Sequence, residues 1–196
     1  MSSTKVNFSI SDVVDAVGPD PNLKVAIPFV LDHEGMVLED VPGDPGGATC
    51  CGITHADYDA YRHEHGLQLQ SLSLITAADV AGCYKEHYWQ PCQCGKMPFQ
   101  VGMSVFDSAV LCGSSRAVRW LQAELGVTVD GAPGQNTLGA VGVYSQMHTA
   151  IVLANKVLDR RVQFHQSIVA ANSGLEKFLA GWLNRVEDLR RFISAQ

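Results

Sequence analysis

Hydrophobic positions recur at three- and four-residue spacing over most of the chain, and this spacing is typical of amphipathic helices. The clearest run lies near the C-terminus and comprises Leu175, Phe178, Leu179, Trp182, Leu183, Val186, Leu189, Phe192 and Ile193. Shorter patterns are introduced by capping signals such as Thr76-Ala77-Ala78-Asp79. The pattern therefore predicts a mainly helical protein whose apolar helix faces form the core.

Turn and capping residues set the expected helix boundaries. A helix is expected from an Asn22 cap to Glu34, with Gly35 as its stop. Pro28 interrupts that pattern, so the sequence predicts a kink or a later start. After an Asp130-Gly131 turn, two longer helices are expected, divided near residues 172–174.

The segment from Glu39 to Thr54 interrupts the helical pattern. It contains two Pro and four Gly. These residues disfavour a helix and are typical of an ordered loop or a small hairpin. The sequence thus predicts a helical chain with a small β element near residues 38–54.

Length and hydropathy restrict the class of protein. The chain has 196 residues and 46% hydrophobic residues, enough for one domain or one domain of two lobes. It contains no run of about eighteen apolar residues, so we expect no membrane-spanning helix. The first residues lack the apolar core of a secretory signal, so we expect a soluble protein made in a cytoplasm.

The formal net charge of -6 is unevenly distributed. Residues 1–112 carry 5 Lys/Arg against 14 Asp/Glu, whereas residues 113–196 carry 9 against 6. An acidic segment repels nucleic acid, so a nucleic-acid enzyme is disfavoured. The basic second half suits an anionic polymer such as a cell wall, although an ordinary solvated surface has the same composition.

The six cysteines all lie in the first part of the chain, at positions 50, 51, 83, 92, 94 and 112. Their pairs lack the two-residue gap of zinc ribbons and redox motifs. We therefore favour reduced structural thiols, followed by disulfides formed after export and then by a metal site. No metal and no cofactor are expected.

Two carboxylates and a hydroxyl form the strongest candidate site. Glu34 is expected in the last turn of a helix, where the negative end of the helix dipole disfavours its ionised form. Asp44 lies in a Gly/Pro-rich turn where it stays solvated and ionised, and Thr49 follows five residues later. Glycoside hydrolysis uses two carboxyl groups in different environments, one to protonate the leaving oxygen and one to handle water or the cation. Acidic surface segments often show the same spacing.

The surrounding motifs resemble a known family. His33-Glu34-Gly35, Asp44-Pro45-Gly46-Gly47-Ala48-Thr49 and Gly52-Ile53-Thr54 resemble the N-terminal signature of glycoside hydrolase family 108. These are lysozyme-like N-acetylmuramidases found mainly as phage endolysins. The stretch from Ala117 to Leu138 resembles the peptidoglycan-binding-type segment that usually follows. Together the resemblance covers most of residues 23–190.

The resemblance implies a lysozyme-like α+β fold with a catalytic lobe at residues 22–112 and a helical peptidoglycan-binding-type lobe at 113–196. The implied reaction is hydrolysis of the β-1,4 bond between N-acetylmuramic acid and N-acetylglucosamine. By motif position Glu34 is the general acid, and Asp44 and Thr49 hold or activate water. The spacing is one residue longer than expected for the family, so Asp40 stays a rival second carboxylate. Inversion and retention both remain open.

Further residues are expected to contact the sugar chain. Tyr58 and Tyr88 are candidates for stacking on sugar rings, and Gly46 and Gly47 allow close backbone approach. Asp107, on an apolar helix, is expected to be a structural hydrogen-bonding group.

The resemblance also implies biological context. We expect a monomer that acts on bacterial peptidoglycan after holin-type release from a host cytoplasm, without nucleic-acid binding or membrane insertion.

Two other classes of protein stay open. A lytic transglycosylase would need Glu34 but neither Asp44 nor Thr49, and a non-catalytic wall-binding protein would need none of them.

Overall fold

The computed structural model describes residues 2–40 and 48–196. Within these residues nine α-helices and one sheet of four short strands confirm the expected mainly helical fold with a small β element. The chain divides into two compact units, Met1–His87 and Tyr88–Gln196. In this described part, none of the helices is both long and apolar enough to cross a membrane.

Four α-helices build the first unit. They are α1 (Ile10–Ala16), α2 (Pro21–Glu34), α3 (His55–Glu64) and α4 (Ala77–Tyr84), with a 3-10 helix at Leu72–Leu74. Helix α1 packs on α2 and α4, and α3 packs on α4. The predicted capping box at Thr76 and Asp79 is present and starts α4.

Helix α2 begins earlier than the sequence predicts. Its cap is Asp20, whose carboxylate accepts hydrogen bonds from the N–H groups of Asn22 at 3.0 Å and Leu23 at 3.1 Å. Proline is well suited to the first helical position because it has no N–H to lose, so Pro21 starts the helix. The expected Asn22 cap was therefore wrong.

The end of α2 agrees with the prediction. The helix runs through Pro28 as one element and ends at Glu34. Gly35 adopts a φ of +81° and donates its N–H to the Leu31 carbonyl at 2.8 Å. The glycine stop thus places Glu34 in the last turn of the helix.

The sheet is antiparallel throughout, in the order β1 (Ser2–Lys5), β2 (Val37–Asp40), β3 (Thr49–Cys50) and β4 (Ile53–Thr54). Strands β2 to β4 account for the predicted β element. Strand β1 was not predicted, because a short polar run shows no alternation of hydrophobic and polar positions. It joins the sheet through backbone pairing, with Lys5 opposite Val37.

The second unit is helical. After a π-helical turn at Lys85–Trp89 and a 3-10 helix at Cys94–Lys96, the chain forms α5 (Phe99–Cys112), α6 (Ser114–Leu125), α7 (Gln135–Met147), α8 (Ala150–Ala171), a 3-10 helix at Ser173–Leu175 and α9 (Glu176–Ser194). Helix α5 is buried from Val101 to Ala109 and contacts α6, α8 and α9. The two helices expected after residue 131 are in fact three, because an unpredicted break at His148 and Thr149 separates α7 from α8.

A buried ion triad joins α5, α8 and α9. Asp107 and Arg161 are completely buried, and Arg185 is 7% exposed. Arg161 donates to one Asp107 oxygen at 2.6 Å, and Arg185 donates to the other at 2.7 Å. Burial alone raises the pKa of a carboxyl group, but the two guanidinium charges outweigh it and hold the pKa of Asp107 below its ordinary value. Asp107 is thus structural, as the sequence indicated.

Replacing Asp107 is expected to destabilise the protein strongly. Asp107→Asn leaves two buried guanidinium groups without an anion, which should cost about 3–5 kcal/mol in the free energy of unfolding. Asp159→Asn is the matched control, because the Asp159 side chain is 59% exposed in its pair with Arg190 and should cost no more than about 1 kcal/mol. Urea unfolding measures both, and equal losses would contradict the assigned role.

His165 extends the triad along α8. It is 3% exposed, and its Nε2 accepts a hydrogen bond from Arg161 Nε at 3.4 Å. Its ring stacks on Trp182 with centroids 4.7 Å apart. Burial and the adjacent Arg161 charge lower the pKa of His165 to about 4.

Mild acid is therefore expected to destabilise the fold through His165. The unfolded imidazole binds a proton near its usual pKa of about 6.5, whereas the folded one does so only near 4. The unfolded state holds more protons between these values, so stability falls as the pH falls through this window. From about pH 7 to about pH 4.5 this linkage amounts to roughly 2–3 kcal/mol. His165→Gln should remove it in urea titrations, and an unchanged pH slope would refute the assignment.

Candidate active site

Glu34 lies against the hairpin that β3 and β4 form. The hairpin turn is Cys51-Gly52, with φ values of +52° and +75°. A Cβ atom added to Gly52 would lie 2.7 Å from Glu34 Cγ and 2.8 Å from Glu34 Oε2. Real Cβ atoms essentially never show such distances, so a side chain at position 52 would have to displace Glu34 or Tyr84. The missing side chain of Gly52 lets the half-buried Glu34 carboxylate lie directly on the backbone of the turn.

Tyr84, the last residue of α4, holds the same turn. Its ring is 1% exposed, and its hydroxyl donates to the Cys51 carbonyl at 2.6 Å. The hydroxyl also lies 2.8 Å from the position a Gly52 Cβ would take. The turn is thus in contact with both Tyr84 and Glu34. The sequence pattern did not identify Tyr84 as a partner of this turn, although the glycine at position 52 was a signal of a constrained turn.

Thr49 belongs to the same hairpin. It is half-buried on β3, opposite Thr54 on β4 and Glu39 on β2. Thr49 lies on a strand of the hairpin, and Glu34 at the end of α2 contacts the hairpin turn. Two of the three predicted catalytic residues are therefore positioned by the same hairpin.

The second carboxylate has two candidates. Asp44 and the neighbouring Gly46 and Gly47 lie outside the described residues. Asp40 ends β2 opposite Ser2 in the sheet register, and its side chain lies outside the described part of the chain. The choice between Asp44 and Asp40 stays a prediction.

The structure places Tyr58 in the core of the first unit. Tyr58 is completely buried, donates to Asp79 at 3.2 Å and accepts hydrogen bonds from Gln70 at 2.6 Å and Arg62 at 3.2 Å. A ring without an exposed face does not stack on a sugar in this conformation, so its burial favours a structural role over the predicted one. Tyr88, the first residue of the second unit, is half-buried in the π-helical turn at Lys85–Trp89 and keeps a partly accessible surface.

The second unit contains a separate polar cavity of about 270 Å³. Gln122, which is buried, organises its wall by accepting the Gly131 N–H at 2.8 Å and donating to Asp130 at 2.7 Å and to the Ala132 carbonyl at 3.0 Å. The lining residues are Gln122, Val127, Thr128, Asp130, Ala132, Gly134, Gln135, Asn136 and Thr137. The Asp130-Gly131 turn, predicted from sequence, is thus fixed by one amide side chain.

All six cysteines are free thiols, and five of them are buried. The sulfur atoms of Cys50 and Cys51 lie 3.9 Å apart. Among residues 2–40 and 48–196, no group of three or more His, Cys, Asp and Glu side chains is arranged to hold a metal ion.

Comparisons with known proteins identify the family of this chain and a solved structure of similar fold. Residues 27–113 match the family described as glycosyl hydrolase 108, and residues 116–187 match the family described as a predicted peptidoglycan domain. The solved structure of Brucella abortus SagA aligns with a TM-score of 0.74 and 30% sequence identity, over 90% of this chain and 96% of that one. Among curated proteins there is no significant match.

The mainly helical, lysozyme-like fold and the two family matches define a glycoside hydrolase that acts on peptidoglycan. The chain belongs to glycoside hydrolase family 108 and carries a peptidoglycan domain after its hydrolase region. The family resemblance of the sequence motifs is confirmed.

The contact at Gly52 can be tested with a matched pair of glycines. Gly52→Ala and Gly66→Ala both place a side chain at positive φ, +75° and +65°, which costs about 1 kcal/mol or more. Gly66 has no heavy atom within 4 Å of the added Cβ, whereas Gly52 meets Glu34 and Tyr84. We expect Gly52→Ala to lose more stability in urea unfolding and, unlike Gly66→Ala, to lose most of its peptidoglycan-degrading rate. Equal behaviour of the two variants would contradict the contact.

Proposed function

We propose that this chain is an N-acetylmuramidase that hydrolyses the β-1,4 bond between N-acetylmuramic acid and N-acetylglucosamine. The observation that carries the proposal is the place of Glu34, a half-buried carboxylate in the last turn of α2, packed against a turn where a side chain in place of Gly52 would displace it or Tyr84. A general acid needs such a defined position beside the oxygen it protonates. Membership of family 108 supports the assignment.

In the proposed reaction Glu34 gives its proton to the glycosidic oxygen as the bond to the anomeric carbon breaks. A water molecule then adds its oxygen to that carbon and loses a proton to a second carboxylate. We assign the second carboxylate to Asp44, with Asp40 as the rival, and the orientation of the water to the Thr49 hydroxyl. This division of roles gives inversion, and it requires carboxyl groups roughly 6.5–9.5 Å apart.

The remaining predicted contacts complete the proposal. We assign residues 22–112 to the catalytic lobe, with Gly46, Gly47 and Tyr88 as sugar contacts. Residues 113–196 form the wall-binding lobe, and their excess of basic residues favours an anionic polymer. The cavity around Gln122 gives this lobe a candidate polar subsite. Cutting the glycan strands weakens the wall, so the biological outcome we propose is bacterial lysis by a phage endolysin.

The test is mass spectrometry of the soluble products released from purified peptidoglycan by the wild type, by Glu34→Gln and by Glu64→Gln. Glu64 is the matched control, because it ends α3 and its side chain is 58% exposed. We expect fragments with reducing N-acetylmuramic acid ends from the wild type and from Glu64→Gln, and a loss of at least about a hundredfold for Glu34→Gln.

Other products would redirect the proposal. Anhydro ends would identify a lytic transglycosylase, and reducing N-acetylglucosamine ends a glucosaminidase. Unchanged products from Glu34→Gln would show that another residue is the acid. Binding without any product would favour a non-catalytic wall-binding protein.

A further inference from the structure

The hydroxyl of Tyr84 contacts the turn at the point that Glu34 also reaches. A Cβ atom on Gly52 would meet the Tyr84 oxygen and Glu34 Oε2 at the same distance, 2.8 Å. The tyrosine and the carboxylate therefore lie against the same few atoms of the turn backbone. A shift of the turn by a fraction of an ångström changes the space available to the carboxylate.

The turn is strained and depends on its hydrogen bonds. Cys51 is a non-glycine residue with a φ of +52°, a conformation that persists only where surrounding contacts enforce it. Its N–H donates to the Val37 carbonyl at 3.2 Å, and its carbonyl accepts the Tyr84 hydroxyl at 2.6 Å. Because Tyr84 is buried at the end of α4, the second bond connects the turn to the helical core.

We propose that Tyr84 is a positioning residue for the general acid, acting through the Cys51 carbonyl and the Gly52 backbone to hold the Glu34 carboxylate in its productive orientation. This inference rests on the proposed function of Glu34. In this role Tyr84 itself does not touch the sugar. Its hydroxyl fixes the turn, and the turn limits where the carboxylate can lie.

The proposal predicts which kinetic constant changes. A small misplacement of a catalytic group can lower a rate by roughly a hundredfold without removing any substrate contact. Loss of the Tyr84 hydroxyl should therefore lower kcat and leave KM nearly unchanged. A merely structural role would reduce the amount of folded enzyme, which lowers the apparent kcat in proportion to the folded fraction.

The experiment compares Tyr84→Phe with Tyr61→Phe on soluble, uncross-linked glycan strands. Tyr61 is matched, because its hydroxyl also packs at a glycine in the same unit, against the position that a Gly82 Cβ would take. We expect Tyr84→Phe to lower kcat by about tenfold or more, with KM within about twofold. Tyr61→Phe should leave both constants close to wild type. Circular dichroism gives the folded fraction by which each rate is corrected.

A rescue makes the test independent of stability. Replacement of Tyr84 by 4-aminophenylalanine keeps a hydrogen-bond donor at the same place on the ring and should restore most of kcat. Recovery supports the hydrogen bond to Cys51 as the cause. A corrected kcat for Tyr84→Phe equal to that of Tyr61→Phe, or no recovery with the amino analogue, would overturn the positioning role.

The experiments distinguish a failure of the proposed function from a failure of the positioning role of Tyr84. If the wild type releases no reducing ends, the proposed function is wrong and this inference falls with it. If the wild type is active and Glu34→Gln is not, while Tyr84→Phe keeps its full kcat, only the positioning role of Tyr84 is wrong.

Discussion

The second unit depends on one buried carboxylate. Asp107 lies on the most buried helix, and the guanidinium groups that neutralise it come from α8 and α9. A buried charge is costly unless it is paired, so packing of these three helices is most favourable when it brings both cations to the anion. Hydrophobic helix faces can pack in several registers, whereas both ion pairs favour the one register in which each guanidinium group reaches Asp107. The triad therefore connects the two family matches, because Asp107 lies within the hydrolase match and both arginines lie within the peptidoglycan match.

In the first unit the candidate site is built on close packing around one hairpin turn. Gly52 brings the backbone of a hairpin against Glu34, and Tyr84 secures that hairpin to α4. The described contacts of Glu34 with this turn are made at Gly52, so the shape of those few backbone atoms limits where the carboxylate can lie. This arrangement suits an acid that exchanges its proton with substrate and has to return to the same place in every cycle.

Local signals in the sequence predicted much of this structure. The glycine stop after Glu34 and the Gly/Pro-rich segment before Thr54 are short-range features, and they correctly located the helix end and the β element. The Asn22 cap was wrong because Asp20, two residues earlier, already caps the N–H groups of Asn22 and Leu23 and lets the helix begin at Pro21. The break at His148 and Thr149 lacked any glycine or proline to mark it, so the sequence merged two helices into one.

Long-range partners could not be predicted in the same way. The Tyr84–Cys51 bond spans 33 residues, and the bonds from Asp107 to its arginines span 54 and 78. Periodicity shows that a side chain faces the core, but it does not identify the group that side chain meets there. The family resemblance indicated the catalytic candidates, whereas the contacts of Gly52 and Tyr84 with the turn beside Glu34 are visible only in the structure.

The length of α4 has a consequence for how this family can vary. The helix is fixed at one end by the Thr76 cap and at the other by the Tyr84 hydroxyl on the Cys51 carbonyl. Adding or deleting one residue between them would turn the Tyr84 ring by about 100° around the helix axis and away from the hairpin. Substitutions are thus easier to accommodate in α4 than insertions. The length of α4 therefore sets the distance between its Thr76 cap and the turn that contacts Glu34.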